Sequence, residues 1–185
     1  MNVAALREAA RIIANGGIVA YPTESVYGLG CDPRRHETVR RLLRLKHRAP
    51  ELGLILIAAH EAQLAPYVDT DTAPGIEKAR ASWPGPFTWL LRARAGVSPW
   101  LRGKHETLAV RVTAHASAAA LCRHARRALV STSANRHGRP PARSAAAVTR
   151  EFGAAVDFIL QGNLGGLSAP TEIRDAASGR VVRPA

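Results

Sequence analysis

The chain has few aromatics, few cysteines and no long apolar run. Three Trp, three Tyr and three Phe in 185 residues offer little platform for stacked bases, and no stacking-type RNA-binding motif occurs. The two cysteines, Cys31 and Cys122, lie far apart without C-x-x-C spacing. Buried free thiols are the favoured reading; a disulfide or a metal pair is the alternative. The seven histidines are scattered, and no pair has the spacing of a zinc site. The longest apolar stretches, 52–59 and 155–162, fall far short of the roughly 20 residues that cross a bilayer. The first residues, MNVAALREAARIIANGG, have neither the basic start nor the cleavage site of a signal peptide. No internal repeat, low-complexity linker, Walker lysine or Rossmann glycine triplet is present. These absences predict a soluble, cytoplasmic protein with no membrane partner and no protein-held metal.

Apolar residues make up 46% of the chain, an ordinary globular share, and the length suits one well-buried domain across 1–185. Twenty-six Lys and Arg against fourteen Asp and Glu give a formal charge of +12, carried mostly by Arg. The planar guanidinium fork suits phosphate and carboxylate, so the balance points to an anionic partner: nucleotide, RNA or pyrophosphate. Solvated surface arginine is the bland alternative.

Helical periodicity predicts helices over 3–14, 36–46, 74–82, 115–125 and 144–152, with a shorter helical stretch near 61–65. In the first, Val3, Leu6, Ala10 and Ile13 share a face, and Ser144 caps the last. Strands are predicted over 17–21, 54–58, 87–92, 107–112, 128–131, 155–160, 172–174 and 180–183. Several neighbouring strands lack an intervening helix. That predicts an α/β fold with a twisted mixed sheet flanked by helices, not a strictly parallel one.

Four segments concentrate polar chemistry where strands or helices end. Tyr21-Pro22-Thr23-Glu24-Ser25-Val26-Tyr27-Gly28-Leu29-Gly30 combines hydroxyls with glycines that permit close backbone approach, or is simply a capped turn. Lys46 and Arg48 close a helix, where cations suit the dipole or reach phosphates, with His47 a solvated bystander. Arg111 lies among apolar residues on an inner strand. A buried guanidinium without a partner costs several kcal/mol, so it must hold either a structural carboxylate or a ligand anion. Ser131-Thr132-Ser133-Ala134-Asn135 ends an apolar strand with several donors, as phosphate sites and N-caps both do.

Together, and in this order, these segments resemble the YrdC/TsaC family, including its single-domain threonylcarbamoyl-AMP synthases. The matching pieces are PTESVYGLGCDP at 22–33, LKHRAP at 45–50, LGLILIAA at 52–59, WPGPFT at 83–88, LAVRVT at 108–113, STSAN at 131–135 and PTEIRDAASG at 170–179. Members with an extra C-terminal domain have much longer chains, so the short form is expected.

The resemblance implies a sheet around an open basic cavity in which threonine, bicarbonate and ATP become threonylcarbamoyl-AMP and pyrophosphate. The product would pass to a transferase complex acting on adenosine 37 of tRNA. Ser25, Ser131 and Arg111 would meet threonine or its carbamate, with Thr23 and Tyr27 lining the same pocket. Lys46, Arg48, Ser133 and Asn135 would contact ATP, joined by Thr107, Arg143 and Arg183. Lys46 and Arg48 would position the reactants, and no side chain would serve as nucleophile or general base. Mg2+ would arrive with ATP, held by phosphates and water. The chain departs from the family twice: a second Lys four residues after the Arg is replaced by Leu52, and a His found in some members by Ile57. The rival readings are a non-catalytic module holding double-stranded or ribosomal RNA, and a domain handling carbamoyl phosphate.

Overall fold

The computed structural model describes residues 2–185. Its elements run α1 (Val3–Ala14), β1 (Val19–Pro22), β2 (Tyr27–Gly30), α2 (His36–Lys46), β3 (Ile55–Ala58), α3 (Ile76–Ser82), β4 (Thr88–Arg92), α4 (Pro99–Arg102), β5 (Thr107–Val112), α5 (Ala116–Ala125), β6 (Leu129–Ser133), α6 (Ala145–Phe152), β7 (Phe158–Ile159), β8 (Ile173–Asp175) and β9 (Val181–Arg183). The strands form one sheet in the order β7-β1-β2-β6-β3-β5-β4-β8-β9. Three neighbour pairs are parallel, β1 with β7, β3 with β5 and β4 with β8, and the others are antiparallel. The mixed sheet expected from the helix-free connections is therefore present. The apolar run at 54–58 becomes an inner strand between β6 and β5.

Alternation along the strands divides the core between the two faces. Ala20, Leu56 and Val130 join one apolar cluster with α2, α3 and α6. Val19, Tyr21, Ile57 and Leu129 join the other, beneath α1 and α5. Helix α1 starts at Asn2, whose side chain accepts from the Ala5 amide, and it buries Leu6, Ala9, Ala10 and Ile13. Val3 was expected on that face but, at the first helical position, stands 51% exposed. Ser144 caps α6 as predicted, accepting from the Ala147 amide. Cys31 and Cys122 are free and buried, and burial pushes each thiol up to about 12.

Two sequence expectations change. The stretch near 61–65 is a single 3-10 turn at Glu61–Gln63. Tyr27–Gly30, read as part of a glycine-rich turn, is a buried strand instead. Its glycines serve packing. A Cβ on Gly30 would sit 2.5 Å from the Val130 carbonyl, and one on Gly28 would sit 3.1 Å from the Thr23 methyl.

Candidate functional site

Strand register carries one face of the sheet beyond its helical cover. Gly28 pairs with Ser133, Ser131 with Ile55, Ile55 with Ala109, and Ile57 with Arg111, so these residues share the face that α1 and α5 pack against. Where that cover ends, a cavity of about 260 Å3 opens, lined in part by Thr23, Ser25, Gly28, Arg48, Arg111, Ser131, Ser133, Thr171 and Arg183. A second cavity of about 320 Å3 continues along the sheet, sharing Arg48, Leu54, Ile55 and Arg183 and adding Leu52, Ala109 and Thr107. Seven of the predicted residues thus line the first cavity, while Thr107 lines the second.

Arg111 is 5% exposed. One terminal nitrogen, Nη1, donates to the hydroxyls of Thr88 (3.1 Å) and Thr171 (2.5 Å), and Nη2 approaches Glu24 Oε2 at 3.4 Å. Glu24 Oε1 accepts from the Thr113 hydroxyl at 2.6 Å. Of the two alternatives left open for Arg111, the structure shows the internal carboxylate, which holds one part of the fork. Its Nε is buried and has no partner, and such a donor costs about 1–3 kcal/mol until it is satisfied.

The other cations differ. Lys46 is 4% exposed, and its ammonium donates to the Ser133 carbonyl (2.5 Å) and to the carbonyl (2.7 Å) and Oδ1 (3.4 Å) of Asn135. Burial, then the neighbouring Arg48 charge, brings its pKa down to about 8. Arg48 donates through Nε and Nη2 to the Gly53 carbonyl, and burial lowers its pKa. Arg183 donates to the Thr171 carbonyl, and its pKa is lowered by partial desolvation and then by Arg111 and Arg48. None of Lys46, Arg48 and Arg183 forms an ion pair among the described residues.

Four predicted contacts line neither cavity. Lys46 is absent from both walls, because its ammonium is turned into the Ser133–Asn135 turn. Asn135 is committed within that turn, accepting from Ser133 Oγ and donating to the carbonyls of Arg136 and Arg139. Tyr27 was expected to line the pocket, but its hydroxyl pairs with the Gly162 carbonyl (2.9 Å) and amide (3.2 Å). Arg143 is exposed and lies outside the lining. Conversely, Glu24, Thr88, Thr113 and Thr171 surround Arg111, and sequence reading had assigned none of them. All four lie within the segments that carry the family resemblance, yet hydroxyls at strand ends read equally well as caps and turns.

Residues 11–185 match the Sua5/YciO/YrdC family profile, described as "Telomere recombination". The chain belongs to that family. It is 54% identical over 178 residues to a protein of Nitrosococcus oceani named threonylcarbamoyl-AMP synthase, covering 96% of each chain. Among solved structures it resembles P. abyssi Sua5 complexed with L-threonine at a TM-score of 0.84 and 32% identity, over 92% of this chain and 50% of that longer one. It also resembles E. coli YciO at a TM-score of 0.83 and 25% identity, over 97% of this chain and 88% of the other.

Proposed function

We propose that this chain is a nucleotidyltransferase making threonylcarbamoyl-AMP and pyrophosphate from L-threonine, bicarbonate or CO2, and ATP. The observation that carries the reading is the charge arrangement of one cavity. Arg111 stands there with an unpartnered buried donor, beside Arg48 and Arg183, which have no acid partner. That is the donor set for one carboxylate and one polyphosphate. The threonylcarbamoyl-AMP synthase of Nitrosococcus oceani supports the product of this reading, and the threonine complex of P. abyssi Sua5 supports its amino acid.

In the reaction the threonine amine forms a carbamate by adding to CO2 with loss of a proton, or by reacting with bicarbonate with loss of water. A carbamate oxygen then bonds to the α-phosphorus of ATP as the bond to pyrophosphate breaks, and the leaving oxygen carries the electron pair away. No protein nucleophile is required. The site must orient two anions, keep water from a labile carbamate and oppose the growing charge on pyrophosphate. Arg111 takes the threonine carboxylate, with Ser25, Ser131 and Thr23 around the amino acid. Arg48, Arg183, Ser133 and Thr107 serve the nucleotide, and Lys46 with Asn135 shapes the turn that carries Ser133. The lining is hydroxyl, guanidinium and apolar, which suits Mg2+ held by ATP and water, where it offsets phosphate charge.

We place the reaction in the cytoplasm, upstream of a transferase complex that moves the threonylcarbamoyl group to tRNA. A module that only held RNA would have no need of a buried guanidinium–carboxylate–hydroxyl network inside a cavity. The test is pyrophosphate release with each substrate omitted in turn. Release that requires threonine, bicarbonate and ATP together is expected. Folded protein giving no threonine-dependent release overturns the reading.

A further inference from the structure

We propose that Glu24 is a positioning residue for Arg111, setting which donors of the guanidinium are left for the substrate carboxylate. The inference rests on the reading of Arg111 as the partner of that carboxylate.

Hydrogen counting on the fork makes the case. The two Nη1 hydrogens are taken by Thr88 and Thr171. One Nη2 hydrogen points to Glu24. The Nε hydrogen and the second Nη2 hydrogen have no protein acceptor, which leaves donors on two neighbouring nitrogens of the fork for a carboxylate. Without Glu24 nothing but the two hydroxyls would hold the group, and an incoming carboxylate could take other donor pairs.

Glu24 is itself held rigidly. It is 6% exposed. Its Oε1 is fixed by Thr113, whose hydroxyl also accepts from the His115 amide at 3.1 Å. Its backbone carbonyl accepts from the Leu167 amide, and that of Thr23 from the Gly165 amide, both at 3.0 Å. Gly165 passes so close that a Cβ there would lie 2.9 Å from the Glu24 Cα. The 163–167 segment is tied in turn to His115, whose Nε2 meets the Asn163 carbonyl at 3.1 Å. Backbone and side chain together thus present one carboxylate edge to Arg111.

The experiment compares wild type with Glu24→Gln, Thr113→Val and Arg111→Ala. Pyrophosphate release yields KM for threonine and for ATP, and calorimetry yields the preference for L-threonine over threonine amide, which lacks the carboxylate. Glu24→Gln keeps the shape but sets an amide N–H against Nη2. It is expected to raise the threonine KM about tenfold, leave the ATP KM within about twofold, and shrink the preference for the acid over the amide. Thr113→Val should move the same quantities the same way by less, and it carries the test alone if Glu24→Gln does not fold. An unchanged or lower threonine KM in these variants overturns the proposal, because Glu24 would then be idle or a competitor of the substrate. Loss of thermal stability with the acid preference intact also overturns it, since the role would be structural only. Wild type that binds neither ligand, or binds both equally, sinks the threonine reading itself and the proposal with it.

Discussion

At one end of the cavity the chain supplies its own acid; at the other it supplies none. Arg111 is met by Glu24 and by the hydroxyls of Thr88 and Thr171, and keeps only part of its fork open. Lys46, behind the wall, and Arg48 and Arg183, within it, donate only to carbonyl oxygens; burial lowers the pKa of each, and neighbouring guanidinium charge adds to the lowering at Lys46 and Arg183. Unpaired cations crowded together are costly in the empty protein and favourable once an anion arrives. On the proposed reading, the first arrangement serves the amino acid by shape and the second the triphosphate by charge.

The largest test of this contrast is Arg111→Ala. Removing the fork costs a bidentate charged contact and strands Glu24, so threonine affinity should fall by about a hundredfold while ATP affinity stays within about twofold. Calorimetric titration of each ligand reads both; equal loss of the two would erase the distinction between the ends. Arg48→Ala should do the reverse, weakening ATP about tenfold and threonine little, and the salt dependence of ATP binding should become shallower.

A pH profile sharpens the comparison further. Folded Lys46, with its pKa at about 8, loses its proton well below the 10.5 of an ordinary lysine. Through that window the unfolded chain binds more protons, so this group by itself favours the fold as pH rises. Activity should move the other way. As pH passes about 8 the ammonium loses a donor to the Ser133–Asn135 turn, and kcat/KM for ATP should drop. Lys46→Arg should flatten that limb, and a profile unchanged in the variant would remove Lys46 from the nucleotide end.

The smallest effect is expected at Leu52, which is 53% exposed and lines the second cavity beside Arg48 and Arg183. Leu52→Lys adds one solvated cation there and should tighten ATP about threefold at low salt, fading as salt rises. Titrations at two ionic strengths measure it.

Much of this molecule was legible along the chain. Periodicity located α1, α2, α5 and α6 closely, because each buries a stripe at helical spacing, and the run at 54–58 marked an inner strand. Arg111 stood out because a charge within an apolar strand must be answered somewhere. Tyr27–Gly30 was less legible: glycine usually breaks a strand, and only the nearness of Val130 and Thr23 shows why it is needed here. Glu24 was hidden for a related reason. A carboxylate in a turn looks solvated until Thr113, distant in sequence, is folded against it.

The sequence by itself determined the classes of side chain and the elements that carry them: a helix ending in Lys46 and Arg48, hydroxyls after an apolar strand, a guanidinium inside another. Propensity and periodicity are local properties, so they survive reading one residue at a time. Only the tertiary structure decided who partners whom. It turned Lys46 toward the 133–135 turn, gave the Tyr27 hydroxyl to Gly162, and set Glu24 on Arg111. The pairing of charges depends on distance and burial through space, and neither follows from separation along the chain.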